Sequence, residues 1–246
     1  MYVAGLTDVG IVRSQNEDAI FFSNAPIGPL PNLYIVADGM GGHNAGEIAS
    51  LHAVTEFCSY FEIHRDFIII EDFLAQSLKG TNESVYNKSR ENSDFNGMGT
   101  TFTACCVDDN NLYFAHVGDS RIYAVKDDCI VQLTNDHSVV AAMVQEGLIT
   151  KEEARVHPKS NIVTRAVGTD LEVEIDKGYY PIDGIKYFLL CSDGLSDLLC
   201  DEKIFEVVNN ETDIKSKVDS LISLALDAGG TDNISVVILG WGGIDK

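Results

Sequence analysis

The sequence predicts an α+β fold built on antiparallel sheets, and three observations carry that prediction. Strand-type and helix-type runs fall in separate blocks, without the strict β-α alternation of a doubly wound parallel sheet. Neighbouring strand runs are joined by short polar turns, Asp108-Asp109-Asn110-Asn111 and Gly118-Asp119, which suit antiparallel connections. The last helical run places Ile214, Val218, Leu221, Ile222 and Ala225 on one stripe, the pattern of a helix packed on a sheet.

In chain order, strands are expected at 2–6, 19–23 and 33–37, with a Pro- and Gly-bearing loop at 24–32, and they read as neighbours in one sheet. Helical spacing follows at 45–61 and 71–90, the second with Phe73, Leu74, Leu78 and Val85 as core positions. Three β-rich runs at 101–107, 112–117 and 120–125 read as an antiparallel meander. Residues 134–169 are less regular, with a short helix near 138–146, a stop at Gly147 and a break at His157-Pro158, and are taken as an inserted excursion. Strands are expected again at 172–179 and 186–191, then helices near 201–208 and 213–227, and a final strand at 233–240. No repeat or low-complexity linker interrupts residues 1–246, so one domain is the economical reading.

Composition excludes several classes of function. Lys and Arg total 17 against 38 Asp and Glu, and the formal charge of -21 repels a phosphate backbone or an anionic membrane surface. Nucleic acid and membrane are therefore not expected partners. Cys58, Cys105, Cys106, Cys129, Cys191 and Cys200 include no C-x-x-C pair and sit mostly in apolar runs, so they read as reduced thiols of a cytoplasmic protein. The N-terminus lacks a basic segment followed by an apolar one, and no apolar stretch reaches the ~20 residues that span a bilayer. Nothing demands more than a monomer.

Four acidic motifs stand at the edges of apolar runs: Asn16-Glu17-Asp18, Asp38-Gly39-Met40-Gly41-Gly42-His43, Ser192-Asp193-Gly194 and Thr231-Asp232-Asn233. Buried strands would draw these acids to a common edge, where like charges cannot all stay ionised unless a cation joins them. An all-oxygen set selects a hard ion such as Mg²⁺, Mn²⁺ or Ca²⁺ over zinc. Gly39 would let the backbone turn sharply after Asp38 and free its carbonyl as a further ligand. Taken singly, each Asp-Gly is more often an ordinary turn; four together point to one metal site.

Thr7-Asp8-Val9-Gly10 with Arg13 and Asn16-Glu17-Asp18, then Val36-Ala37-Asp38-Gly39-Met40-Gly41-Gly42-His43, Met98-Gly99-Thr100-Thr101, His116-Val117-Gly118-Asp119-Ser120-Arg121, Leu133-Thr134-Asn135-Asp136-His137-Ser138, Cys191-Ser192-Asp193-Gly194 and Gly230-Thr231-Asp232-Asn233 occur in that order. From about residue 5 to residue 240 the chain thereby resembles the PPM (type 2C) metal-dependent serine/threonine protein phosphatases, in their compact bacterial form. The resemblance implies a four-layer sandwich, two antiparallel sheets flanked by helix pairs, with two Mn²⁺ or Mg²⁺ ions at one edge. By the same resemblance Asp38 bridges both ions and the Gly39 carbonyl is another ligand. Asp193 and Asp232 hold the first ion, Glu17 and Asp18 serve the second directly or through water, and Asp119 with Asp193 marks a third, weaker site. The implied partners are phosphorylated proteins, substrates of an opposing serine/threonine kinase.

Two cations lower the pKa of a bridging water from 15.7 toward ~7, so hydroxide can attack phosphorus in line without a protein nucleophile. Arg13 suits a phosphate clamp, because a planar guanidinium donates two parallel hydrogen bonds. His43 is the nearest candidate in sequence to protonate the leaving alkoxide; the alternative is a loop histidine, since many eukaryotic relatives place theirs directly after Asp-Gly, where Met40 stands here. Residues 135–165 correspond to the family's flap, and its Lys151, Arg155, Lys159 and Arg165 make it locally basic. Arg155 and Lys159 are candidates for drawing in a phosphopeptide, against the plainer reading of a solvated face. A cysteine-based phosphatase is excluded, since no cysteine is followed by Arg at C-x5-R spacing. A silent binding module and a phosphatase of small metabolites are the remaining alternatives.

Overall fold

The computed structural model describes residues 1–42, 45–64, 66 and 69–241. Its strands are β1 (Tyr2–Asp8), β2 (Asp18–Ser23), β3 (Leu33–Met40), β4 (Gly99–Thr100), β5 (Phe102–Val107), β6 (Asn111–Val117), β7 (Arg121–Val125), β8 (Ile130–Gln132), β9 (Asp176–Pro181), β10 (Tyr187–Cys191) and β11 (Ile234–Gly240). Its helices are α1 (Ala45–Ile63), α2 (Ile70–Ser89), α3 (Val139–Gln145), α4 (Lys151–Arg155), α5 (Asp193–Ser196), α6 (Asp201–Val208) and α7 (Ile214–Asp227). One sheet has the order β1-β11-β10-β7-β8 and the other β2-β3-β5-β6-β9, with β4 paired to β3. Among the described residues every ladder is antiparallel.

Strand period explains the layering. In β3, Tyr34 and Val36 face the other sheet and meet Ile122, Phe188, Leu190 and Val237. The intervening Ile35 and Ala37 face α1 and α2 and pack with Phe57, Phe61, Leu74 and Leu78. Both faces are buried, so β3 reads as a continuous apolar run instead of an alternating one. On the outer face of the first sheet, Tyr123, Leu189 and Ile238 pack against Ile204, Val218 and Leu221 of α6 and α7. Three apolar interfaces thus separate four layers. Phe102 sits in the helix-side interface with its ring 4.9 Å from that of Phe57, and truncating it to Ala would cost about 3–5 kcal/mol.

The sheet assignments correct the sequence reading in two places. β1 is not a neighbour of β2 and β3; it pairs with β11 in the other sheet. The meander is also broken: β5 and β6 pair, but β7 leaves them for β10 and β8. Gly118 makes that departure at φ 110, and a Cβ there would lie 2.5 Å from Cβ of Thr101, so the corner admits only glycine. Periodicity gives a strand its faces but not its partner.

The strand expected at 172–179 runs instead from Asp176 to Pro181. Ahead of it, the Asn82 side chain on α2 donates to the carbonyls of Asp170 and Leu171 and accepts from Gly168 N. Those backbone groups are satisfied by a side chain, which ties the segment leading to β9 to α2. Within 135–165, Ser138 caps α3 and a Thr150/Glu153 capping box starts α4. This segment is fastened at its root: Thr164 N donates to His137 O at 2.7 Å, and Nδ1 of His137 accepts from Gly118 N at 3.0 Å. Arg165 is held by Glu174 and Asp176 at 2.7 and 3.0 Å.

Candidate metal centre

The antiparallel register of β2 and β3 sets Asp18 directly opposite Asp38. Asp193 opens α5 just past the end of β10, and Asp232 precedes β11, the neighbour of β10. One sheet therefore supplies Asp18 and Asp38 and the other supplies Asp193 and Asp232. Asp119 lies at the Gly118 corner between them. The expected convergence of distant acids is what the strands produce.

Each acid is held by neighbours. Asp18 is buried, and its Oδ2 accepts from Oγ of Ser192 at 2.8 Å and Oγ of Ser235 at 2.6 Å. The Asp38 backbone is pinned by a Thr pair: its N–H donates to Thr101 Oγ1 at 2.9 Å and its carbonyl accepts from Thr100 Oγ1 at 2.9 Å. Asn233 fixes the segment carrying Glu17, accepting from Glu17 N at 2.8 Å and donating to the carbonyls of Val9 and Gln15, each at 2.9 Å. Arg13 donates to Oδ2 of Asp232 at 2.8 Å and is itself half exposed.

Gly39 corrects an expectation. It lies within β3, not in a turn, and is required because α1 approaches so closely that a Cβ would fall 2.1 Å from Gly46 O. No supporting role was expected of Thr100, Thr101, Ser192, Asn233 or Ser235, although all but Ser235 lie within the quoted motifs. Asp197 was missed as well. It follows Asp193 by one helical turn, its N–H donates to Asp193 O at 2.8 Å, and its charge acts on both Asp193 and Asp119. The signal was present in the Asp-x-x-x-Asp spacing of a helix start. His43 lies outside the described residues.

The electrostatics are those of crowded carboxylates. Burial, then repulsion by Asp18, Asp193 and Asp119, pushes Asp38 well above the usual range, and burial with Asp119, Asp197 and Asp232 does the same to Asp193. Burial lifts Asp119 to about 7, with Asp136 and Asp197 adding to it. Asp18 is lifted to about 6 by burial, against the opposing hydrogen bonds from Ser235 and Ser192. Oδ1 of Asp18 and Oδ1 of Asp193 are buried with no hydrogen-bond partner. Buried acceptors left without donors are costly, and a cation satisfies them and the repulsion together. The donor set, all carboxylate and carbonyl oxygen, fits a hard divalent ion. Among the described residues no three His, Cys, Asp or Glu side chains form a ready-made cage.

The flap cations divide. Arg165 is committed to the root pairs above, Nη2 of Arg155 stands 4.0 Å from Oδ1 of Asp201, and Lys159 is exposed. A partly buried chain ends at the partner of Arg155: Arg121 grips Asp136 with Nε and Nη2 and donates to the Tyr123 hydroxyl, which donates to Asp201.

A family model described as protein phosphatase 2C matches residues 12–229. The protein phosphatase PhpP of Streptococcus pneumoniae is 35% identical over 241 residues, covering 97% of each chain. The serine/threonine phosphatase stp of Listeria innocua is 36% identical over 243 residues, 97% of this chain and 95% of that one. Among solved structures, serine/threonine phosphatase Stp1 from Staphylococcus aureus superposes with a TM-score of 0.91 at 36% identity, covering 98% of this chain and 95% of that one. The serine/threonine phosphatase PstP/Ppp of Mycobacterium tuberculosis gives 0.88 at 34% identity, over 98% and 99%. Two antiparallel sheets between helix layers, with acids from both sheets at one edge, are the architecture of a phosphatase of this kind. The chain belongs to the protein phosphatase 2C family.

Proposed function

We propose that this protein hydrolyses phosphoserine and phosphothreonine in other proteins, through water activated at a two-ion Mn²⁺ or Mg²⁺ centre and without a covalent phosphoenzyme. The observation that carries the reading is the pair of unpartnered buried oxygens, Oδ1 of Asp18 and Oδ1 of Asp193, within a cluster of mutually repelling acids. In this assignment Asp38 would be common to both sites and the Gly39 carbonyl a further ligand, Asp193 and Asp232 would hold the first ion, and Glu17 and Asp18 would serve the second directly or through water. Asp119 and Asp193 form a third, weaker site. Bound divalent ions supply a nucleophilic water at neutral pH and offset charge on the phosphoryl oxygens.

The chain's own groups do the rest. Arg13 exchanges its contact with Asp232 for the phosphoryl group, donating two parallel hydrogen bonds that strengthen as charge develops. Ser192 and Ser235 keep Asp18 oriented, and Thr100 and Thr101 keep Asp38 at its place in β3. His43 is the assigned proton donor to the leaving alkoxide, and Arg155 and Lys159 are assigned to the incoming polypeptide. The catalytic domain spans 1–246 with its flap at 135–165, and the protein works as a cytoplasmic monomer that opposes a serine/threonine kinase. The protein-phosphatase names of the relatives favour a polypeptide over a small metabolite. Among the described residues no helix is long and apolar enough to cross a membrane.

Hydrolysis of a phosphothreonine peptide by wild type and Asp193→Asn, after chelation and after return of Mn²⁺ or Mg²⁺, tests the reading. Metal-restored turnover in wild type alone is expected. A folded wild type that takes up metal and never turns over would instead favour a binding module.

A further inference from the structure

The loop that carries Arg13 also displays two large aliphatic side chains, Ile11 and Val12, 65% and 67% exposed. Apart from Met1 and Tyr2 at the N-terminus, they are the only adjacent pair of exposed large apolar residues among the described residues. Single exposed aliphatics need no explanation, but these two are held out by a rigid support. The N–H groups of Ile11 and Val12 both donate to Gly230 O, at 2.8 and 3.2 Å. Gly10 N donates to Oδ1 of Asp8 at 2.8 Å, and Asn233 ties Val9 and Gln15 on either side. Gly230 is two residues from Asp232, the partner of Arg13. The apolar pair is therefore fixed in position relative to the guanidinium and to the acids beneath it.

We infer that Ile11 and Val12 are specificity-determining residues that receive an aliphatic or aromatic side chain of the substrate, within one to three residues of its phosphorylated serine or threonine. The inference rests on the proposed phosphatase function. An extended peptide advances about 3.3 Å per residue, so a phosphate clamped by Arg13 brings its near neighbours over the preceding two loop positions. Fixed apolar side chains gain from contact without paying to order the loop. Charge points the same way: Asp8, which is not among the assigned metal ligands, stands beside the loop in a chain of net charge -21, so an acidic neighbour in the peptide is disfavoured while an apolar one is not. The occupant is thus a phosphoprotein segment with a bulky apolar residue beside the phosphate and no carboxylate there.

The test compares kcat/KM for phosphothreonine peptides that differ at one flanking position, carrying Leu or Phe, Ser, or Glu, with Mn²⁺ supplied. Wild type is expected to prefer Leu or Phe over Ser by roughly five- to thirtyfold, less than full burial of one such side chain would give because the contact is made on an open loop. Ile11→Ser with Val12→Ser should bring that ratio near one, while p-nitrophenyl phosphate turnover confirms an intact centre. Val12→Leu, which keeps an apolar surface, should retain the preference. Equal rates for all peptides in wild type, or an unchanged ratio in the double variant, overturn this inference and leave the phosphatase reading standing. No turnover of any peptide or of p-nitrophenyl phosphate in the metal-loaded wild type overturns both.

Discussion

The side-chain oxygen of Asn233 accepts the backbone N–H of Glu17 at 2.8 Å, joining the last strand's entry to the second strand's entry across 216 positions of sequence. The amide nitrogen of the same side chain donates to Val9 and Gln15, so one residue satisfies three backbone groups of the loop that presents Arg13 and Glu17.

Asn233→Ala removes all three bonds and leaves partly buried backbone groups without partners. At about 1 kcal/mol per bond the loss is roughly 2–4 kcal/mol, which in a domain of this size lowers Tm by roughly 5–15 °C. Activity should fall further than stability accounts for, because Arg13 and Glu17 lose their common anchor. Calorimetry alongside phosphopeptide kinetics, at a temperature where the variant is folded, checks both; a Tm within 1 °C or so of wild type would contradict the argument.

The metal-free protein should become less stable as pH rises through about 7. Asp119 is lifted to about 7, and Asp38 and Asp193 lie well above the usual range, whereas in the unfolded chain they ionise near 4. A raised folded pKa means that the native state holds the proton more tightly. The stabilisation is complete below the unfolded value and disappears as pH passes the folded one. His116, held to about 4 first by burial, acts in the opposite sense but only below about 6.5, outside this window. Thermal unfolding in chelator should show Tm falling with pH, and saturating Mn²⁺ should flatten the profile. A Tm that climbs with pH in chelator would refute the crowded-acid picture.

Ser235→Ala deletes the 2.6 Å hydrogen bond to Asp18. Loss of such a bond behind a ligand carboxylate typically weakens metal affinity about tenfold or more. The Mn²⁺ concentration for half-maximal activity should rise by about that factor, with kcat at saturating metal close to wild type. A lowered kcat with unchanged metal dependence would place Ser235 in a different role.

Reversing the flap charges, Arg155→Glu with Lys159→Glu, should raise KM for a phosphopeptide more than for a small aryl phosphate. The Arg155 change also sets a carboxylate against Asp201, now 4.0 Å from the guanidinium, so the flap helix should loosen by the weak amount expected of a partly exposed pair. Equal effects on the two substrates would remove both residues from peptide binding.

Much of the site was legible in sequence because each acid lies beside an apolar run whose strand character is plain, and strand ends carry side chains to an edge. Asp18, Asp38, Asp193 and Asp232 needed only that rule. Sheet membership was not legible: β1 and β7 have the right period, yet their partners, β11 and β10, are chosen by tertiary packing and by the Gly118 corner. Asn82 shows the same limit, since its bonds to the backbone of Gly168, Asp170 and Leu171 join α2 to the segment before β9 in a way no local pattern announces. The capping box at Thr150 and Glu153 was readable and marks α4, and Asp197 was readable from helical spacing once Asp193 was placed at a helix start.

The acids of the centre are divided between the two sheets, whose facing sides are otherwise joined mainly through apolar side chains such as Val36, Leu190 and Val237. An ion at that edge would be a rivet through two plates held elsewhere by grease. Withdrawn, it leaves like charges prying the plates apart at one rim while the oily interior holds the other. Scarcity of the metal would then leave the enzyme ajar as well as idle, and a protease would find the frayed rim at β2 and β10 before any loop on the far side.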